Sequence, residues 1–247
     1  MTDTANRLAL DWLDGAPLDL IKVAALALMV GDHINTILLD GHSATLWRLG
    51  RIAFPLFCLV TAIHLARGTD PGRYVLGLLL IAIPTQPIYA LAFAYGTTEG
   101  SILFTLAAGA AFAAFAARAG TFVRHSVLAV GLGIVFGLPS LAKTGVDFGL
   151  AGLLLPAALG LTLRRPRSHA VWLAAVVVGL NWHGWHPRGE DPTVSALLDA
   201  GTILLGLSAV VGAASVLHGL PRFLPSYALP IFYPAHLLAL SAIRALG

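Results

Sequence analysis

Apolar residues fill the chain in long stretches that short polar breaks separate. About nine stretches approach the roughly 20 residues that a helix needs to cross the hydrocarbon core of a membrane. The fifth to seventh are short or interrupted by Gly or Pro, so eight to ten helices fit the pattern. The pattern predicts an all-α, polytopic membrane protein with helices over residues 18–39, 46–66, 73–95, 101–118, 124–141, 147–163, 169–186, 194–217 and 228–246.

Composition supports a membrane protein of one domain. Of the 247 residues, 57% are hydrophobic and 11% are charged, whereas soluble proteins average about 25% charged residues. The single cysteine, Cys58, excludes an internal disulfide and a cysteine-based metal cluster. No polar linker separates two parts, so we expect an N-terminal cytoplasmic segment over residues 1–17 and one transmembrane domain over 18–247.

The basic residues predict the orientation of the chain. They are scattered, with no basic run that aromatic residues interrupt, so we expect no nucleic-acid partner. With nine helices, five of the 15 basic residues fall on one side of the membrane and ten on the other. The positive-inside rule makes the side with ten cytoplasmic. We therefore expect a multi-pass protein of the cell (inner) membrane with a cytoplasmic N-terminus. The ten basic residues on the predicted cytoplasmic side are Arg7, Lys22, Arg67, Arg73, Arg118, Arg124, Arg164, Arg165, Arg167 and Arg222.

The first predicted helix carries polar groups at membrane depth, where they are costly and therefore candidates for function. Asp32, His33 and Asn35 lie together in an otherwise apolar run. Lys22 precedes His33 by eleven residues, which places both on one face about 16 Å apart along the axis. Asp19 lies three residues before Lys22 and is able to pair with it, although these two residues are also typical of a membrane interface.

The second predicted helix contains two arginines. Arg51 lies deep enough to need an anion, which is either Asp32 or a phosphate of a ligand. We interpret Arg48 as a side chain that extends to the outer interface. Pro55 interrupts the backbone hydrogen bonds and predicts a break at which a ligand approaches.

Three later segments carry further candidates. Gln86 lies between two prolines and either lines a cavity or stabilises a kink. Asn181 lies near the end of a helix, before two histidines at positions 183 and 186 that lack an evident third ligand, so we expect no metal. Tyr233 and His236 flank an in-helix proline among Leu and Ile, which indicates a functional cavity rather than packing.

Five runs of the sequence, in this order, resemble the TraX family. The resemblance covers about residues 18–240, with Ser101 and Phe148 where many family members have Asn and Tyr. The first helix is also similar to membrane acyltransferases of the acyltransferase-3 and heparan-glucosaminide acetyltransferase type, with Asp19, Lys22 and His33 at the matching positions and Lys in place of Arg. The five runs are residues 22–35, 50–57, 100–104, 147–152 and 232–237.

The resemblance implies transfer of an acetyl group from cytoplasmic acetyl-CoA to an acceptor reached from the other face. The TraX family's named member acetylates the N-terminus of a conjugative pilin, and the two departures put the pilin substrate in doubt more than the chemistry. The acceptor is therefore an amine or a hydroxyl, such as a peptide or pilin N-terminus. A neutral histidine takes a proton near pH 7, so His33 is the predicted base, with direct transfer and an acetyl-imidazole intermediate both open.

The other candidates take roles around His33. Lys22, Asp19 and Asn35 are assigned to the donor, and Asp32 and Arg51 to catalysis with His33. A proton-coupled transporter or flippase that uses Asp32, His33 and Arg51 is the main alternative, and a non-enzymatic assembly factor is a third. The candidates for the acceptor side or for support of the site are Asn181, His236, Tyr233 and Gln86.

Overall fold

The computed structural model describes residues 10–93, 99–138, 148–182 and 191–246, and within these ranges the regular structure is helical. A single 3-10 turn, Asp11–Leu13, precedes the first α-helix. The α-helices are α1 Ala16–Ile37, α2 Ala44–Gly50, α3 Ala53–Ala66, α4 Pro71–Phe93, α5 Ile102–Arg118, α6 Thr121–Gly137, α7 Gly149–Arg164, α8 Pro166–Asn181, α9 Pro192–Ser215 and α10 Ala228–Leu246.

The helices form a ring with one helix at its centre. In the order α1, α10, α4, α5, α7, α8 and α9, each helix packs against the next, and α9 packs against α1. The central helix is α3, which contacts α1, α5 and α7, while α6 packs outside the ring on α7 and α8. The side chains of α3 are almost all buried, because its surface is apolar all round.

The lengths of the helices agree with a polytopic membrane protein. Every predicted stretch contains a helix among the described residues, which confirms the all-α class and is consistent with about nine spans. Those long and apolar enough to cross a membrane are Ala16–Ile37, Ala44–Ala66, Pro71–Phe93, Pro192–Ser215 and Ala228–Leu246. The shorter apolar helices are Ile102–Arg118, Thr121–Gly137 and Gly149–Arg164.

The second span differs from its prediction. It is divided into α2 and α3 at Arg51 and Ile52, and it does not break at Pro55. Pro55 lies in the first turn of α3, where the backbone N–H has no partner within the helix in any case. The expected break at Pro55 is therefore wrong, and the span is interrupted at Arg51 instead.

The described part of the N-terminal segment packs against the bundle. Leu13 is 1% exposed, and Arg67 donates a hydrogen bond to the carbonyl of Leu10 at 2.9 Å. Arg67 and Arg222 also pair with Asp14 at 3.2 and 3.4 Å. Partial burial opposes ionisation of Asp14, but the Gly15 N–H and the two arginines leave the pKa of its carboxyl below its usual value. Residues 10–14 are thus held against the helical bundle by burial and by these ion pairs.

Arg48 does not extend to the interface as an unpaired cation. Its Nε lies 3.5 Å from Oδ1 of Asp199 on α9, whose side chain is 1% exposed. A carboxylate at this depth needs a cation beside it, and Arg48 supplies one. The ion pair ties α2 to α9.

A glycine of α9 permits close packing on α3. A Cβ atom at Gly206 would lie 2.5 to 2.9 Å from side-chain atoms of Ile52. We expect Gly206→Ala to lower the free energy of unfolding by about 1–3 kcal/mol, because overpacking moves both helices. Gly201 on the same helix meets nothing within 4 Å, so Gly201→Ala should be neutral or stabilising. Thermal unfolding of the purified variants in detergent checks this prediction, and equal unfolding temperatures would contradict it.

Candidate active site

Two histidines from opposite ends of the chain meet in the protein interior. His33 of α1 and His236 of α10 lie with Nδ1 and Nε2 2.7 Å apart. Each side chain is 8% exposed. Phe93, at the end of α4, places its ring edge-on against His33 at 5.0 Å between centroids. The two histidines are 203 positions apart in the sequence, and the packing of α10 on α1 brings them together.

The hydrogen bonds order the protons of this pair. Nδ1 of His236 lies 3.0 Å from the carbonyl oxygen of Phe232, which only accepts, so this nitrogen carries a proton. In the neutral ring, Nε2 of His236 is then an acceptor, and His33 must donate to it from Nδ1. The proton of a neutral His33 therefore lies on Nδ1, and its Nε2 keeps a lone pair available as a base or nucleophile.

Arg51 lies beside His33 between two aromatic rings. Its guanidinium carbon is 4.0 Å from the ring centre of Trp47 and 5.1 Å from that of Phe148. Its Nη2 lies 3.6 Å from Oδ2 of Asp32. An arginine that is stacked and ion-paired in this way is held in one orientation. Asp32 Oδ1 and Arg51 Nε are buried and make no hydrogen bond among the described residues.

Gly50 allows α2 to approach Asp32. A Cβ atom at position 50 would overlap the carboxyl group and Cβ of Asp32. Glycine has no Cβ and is therefore suited to such an approach. The loop before α2 is held by Asn35, whose side-chain oxygen accepts a hydrogen bond from Ser43 N–H at 2.9 Å. Ser43 in turn caps α2 by accepting from Leu46 N–H.

These groups line a cavity of about 520 Å³, which we call the histidine cavity. Its polar lining includes two carboxylates and two arginines beside His33. Its other walls are largely aromatic, an arrangement typical of sites for small molecules. Its lining residues include Asp32, His33, Asp40, Arg51, Phe148, Tyr233 and Arg244.

A second, smaller cavity of about 100 Å³, which we call the narrow cavity, adjoins the histidine cavity. The two share Met29, Ile102 and Tyr233 in their walls. The narrow cavity extends to Tyr74 near the start of α4 and to Leu229 near the start of α10. It therefore lies between the histidine cavity and the end of the bundle that holds Arg67 and Arg222.

Five of the predicted site residues come together in the histidine cavity or directly behind it. Asp32, His33, Arg51 and Tyr233 line the cavity, and His236 supports His33. The predicted pairing of Arg51 with Asp32 is confirmed.

The other predicted site residues lie elsewhere. Lys22 pairs with Asp19 at 3.1 Å, as expected from their spacing, and Asp19 also accepts hydrogen bonds from the N–H groups of Phe223 and Leu224. Asn35 holds the loop before α2, at the opposite end of α1 from Lys22. The roles of Lys22, Asp19 and Asn35 toward a donor stay predictions.

Asn181 and Gln86 do not line the histidine cavity. Asn181 is buried at the end of α8, and its side-chain nitrogen donates to the carbonyl of Val177 at 3.4 Å. Gln86 connects α4 with the start of α5 by donating to Glu99 O and accepting from Ser101 N–H. Of the two alternatives for Gln86, support of the local backbone therefore agrees with its contacts. The histidines at positions 183 and 186 lie outside the described residues.

Sequence reasoning missed several residues of the histidine cavity. Trp47 lies four residues before Arg51, a spacing that brings side chains together along one helical face and was a usable signal. Phe148 was noted only as a departure from its family. Sequence reasoning assigns no role to Asp40, to Arg244 or to Asp199, the partner of Arg48.

Comparisons with known proteins agree with the resemblance. The family described as TraX protein matches residues 17–244. A protein named Protein TraX from Escherichia coli is 32% identical over 250 residues, which cover 98% of this chain and 92% of the relative. Protein TraX from Escherichia coli strain K12 is 32% identical over 248 residues, with the same coverage of both chains. No solved structure matches.

The proton order of the histidine pair is directly testable. In protein labelled with 15N at histidine, we expect the nitrogens of His33 to show a protonated Nδ1 and an unprotonated Nε2. His236→Phe removes the acceptor, so the two tautomers of His33 should then interconvert. His218 is exposed and lies outside the histidine cavity, and His218→Phe should leave the His33 signals unchanged. A protonated Nε2 on His33 in the unmodified protein would contradict the proposed order.

Proposed function

The chain belongs to the TraX family, and from this we propose that it is an integral membrane acyltransferase. It moves an acetyl group from cytoplasmic acetyl-CoA to an amine acceptor in the histidine cavity. The observation that carries the proposal is the hydrogen bond between His33 Nδ1 and His236, which orients the His33 ring and leaves its Nε2 lone pair unused by the residues that the structure describes. A base oriented by a second group is the arrangement that acyl transfer requires.

His33 acts as the base of the transfer. The acceptor nitrogen attacks the carbonyl carbon of the thioester, and Nε2 of His33 takes the proton that the nitrogen loses. The carbon–sulfur bond then breaks, and the same proton passes from His33 to the departing sulfur. His236 accepts the hydrogen bond from His33 Nδ1 throughout, and it stabilises the imidazolium that forms between the two steps.

Arg51 and Asp32 supply the charges around the reaction. The negative charge that develops on the thioester oxygen needs a donor fixed before the reaction begins. Arg51 meets this need, because it lines the cavity and its guanidinium is held by Trp47, Phe148 and Asp32. Asp32 also lines the cavity. Its carboxylate accepts a hydrogen bond from the second N–H of a neutral amine while the first proton goes to His33. A hydroxyl lacks that second proton, and this favours an amine over a hydroxyl acceptor.

The donor reaches His33 through the narrow cavity. The thioester arm lies against the largely apolar wall of this cavity, whereas the charged nucleotide of the donor stays at the end that holds Arg67 and Arg222. Lys22 lies at this end of α1, but Asp19 neutralises its charge. Lys22 therefore contributes to the position of the Phe223–Leu224 segment through Asp19 and less to the affinity for phosphate.

The acceptor enters from the opposite side, past Asp40 and Arg244. A peptide N-terminus, including that of a pilin, supplies the required amine. Phe148 lies in the wall that the acceptor meets, and many TraX proteins have Tyr at this position. The loss of that hydroxyl favours an acceptor that differs from pilin beyond its amine.

A transporter that uses Asp32, His33 and Arg51 as a proton relay is the second candidate. Its main support is the ion pair at membrane depth. Against it, the centre of the ring is filled by α3, whose buried residues include Phe54, Leu56 and Ile63. The two cavities lie to one side of this helix, which suits two substrates that meet better than one that passes through.

The transfer reaction tests the proposal. Purified protein is incubated with acetyl-CoA that carries a labelled acetyl group, with and without membrane extract. His33→Ala should lower release of free CoA by roughly 100-fold or more, because the base is lost, while His218→Ala should retain full activity. Label retained on the unmodified protein would identify an acetyl-imidazole intermediate. Equal CoA release by the unmodified protein and His33→Ala would overturn the proposal.

Gly50 offers a test of the charges without removal of a charged group. In Gly50→Ala, the new Cβ displaces the Asp32 carboxyl group, so we expect kcat to fall by about 100-fold as Arg51 loses its fixed position. Gly31 precedes Asp32 directly, and a Cβ there meets Leu46 at an ordinary distance of 3.7 Å. Gly31→Ala should therefore keep most of the activity. Equal kcat values for the two variants, with both folded, would contradict the assignment of Asp32 and Arg51.

A further inference from the structure

A pair of hydroxyl groups interrupts the apolar wall of the narrow cavity. Thr61 Oγ1 on α3 and the Tyr74 hydroxyl on α4 lie 3.1 Å apart, and both residues line the cavity. Thr61 is 1% exposed. The remaining lining is mostly Leu, Ile, Val, Phe and Met. Polar groups in such surroundings are costly unless they have partners, so the residual bonding capacity of the pair needs an explanation.

The protons of the pair are accounted for by their neighbours. Thr61 Oγ1 donates its only proton to the carbonyl oxygen of Phe57 at 3.0 Å. The bond between the two hydroxyls must then use the proton of Tyr74, which Thr61 accepts. The Tyr74 oxygen has no further proton to give and keeps its lone pairs. Toward a molecule in the cavity, Tyr74 is therefore an acceptor only.

The cavity is small, and its wall is mostly apolar. Its volume is about 100 Å³, against about 520 Å³ for the histidine cavity. Its wall is continuous with that of the histidine cavity at Met29, Ile102 and Tyr233. A chain that lies in it thus has one end near His33 and passes Tyr74 on the way.

We propose that the Tyr74 oxygen accepts a hydrogen bond from a secondary amide N–H in the arm of the thioester donor. This inference rests on the proposed function, because it concerns the donor of that reaction. The part of the pantetheine arm next to the sulfur alternates pairs of methylene groups with two secondary amides, so it offers apolar surface to the cavity wall and N–H donors to Tyr74. Tyr74 determines specificity for the amide, and Thr61 positions Tyr74.

The hydroxyl pair distinguishes the pantetheine arm from a hydrocarbon chain. A fatty acyl chain has no N–H group and makes no hydrogen bond to the remaining lone pairs of Tyr74, whose bond to Thr61 persists. One such hydrogen bond corresponds to about tenfold in affinity. The Thr61–Tyr74 pair therefore selects against lipid chains in a cavity that is otherwise apolar.

Binding of pantetheine itself tests the proposal on the full-length protein in detergent. Dissociation constants are measured by calorimetry for pantetheine and for an analogue in which ester oxygens replace both amide N–H groups. We expect Tyr74→Phe to weaken pantetheine binding about tenfold and to leave binding of the ester analogue unchanged. Tyr227 is exposed and lines neither cavity, so Tyr227→Phe is the matched control. Thermal unfolding confirms that each variant is folded.

The possible results separate this proposal from the proposed function. An unchanged affinity for pantetheine in Tyr74→Phe, an equal loss for both ligands, or no binding of pantetheine to the unmodified protein overturns the role of Tyr74. Acetyl transfer from acetyl-CoA is measured beside the binding. Transfer with an unaltered KM in Tyr74→Phe overturns this proposal alone. Binding of pantetheine that depends on Tyr74, without acetyl transfer, supports it and counts against the proposed function.

Discussion

Polar side chains between apolar helices must find partners within the protein, and α1 contains several such side chains. Four of its polar side chains are each bound by a different part of the chain: Asp19 by the Phe223–Leu224 segment, Asp32 by Arg51, His33 by α10, and Asn35 by the loop before α2. An unsatisfied group in hydrocarbon costs several kcal/mol. The packing of α10, of the loop and of the α2–α3 junction around α1 is therefore fixed by hydrogen bonds as well as by shape.

The same need for partners determines which atoms of the site carry protons and which keep lone pairs. A histidine pair could hold its shared proton on either ring, but the carbonyl of Phe232 accepts from His236 and so orders both rings. Similarly, the hydroxyl of Thr61 is committed to the carbonyl of Phe57, which orders Tyr74. In both cases a backbone acceptor one helical turn away determines which lone pair faces the cavity. Pre-organisation of this kind needs no movement when a substrate binds.

The helices could be predicted because hydropathy along the chain reports burial in a membrane directly. The candidate residues could be predicted for the same reason, since an ionisable group inside an apolar run is rare. Their partners could not, because His33 and His236 meet only through the packing of α10 on α1. The sequence pattern predicts the break at Pro55 rather than at Arg51, because proline removes a helical hydrogen bond everywhere except in the first turn of a helix. The sequence does not indicate a role for Gly50, because that role depends on the close approach of Asp32 in the folded structure.

The position of α3 at the centre of the ring has a consequence for the chemistry. Because this helix fills the middle of the bundle, both cavities lie against the same side of α1, one above the other, and share Met29, Ile102 and Tyr233. His33 lines only the wider of the two, close to the shared wall. A donor that is narrow and an acceptor that is wide would thus approach from opposite ends, and neither would have to leave before the other binds. This arrangement favours direct transfer within a ternary complex, with His33 serving as base, over a sequence in which the histidine itself carries the acetyl group.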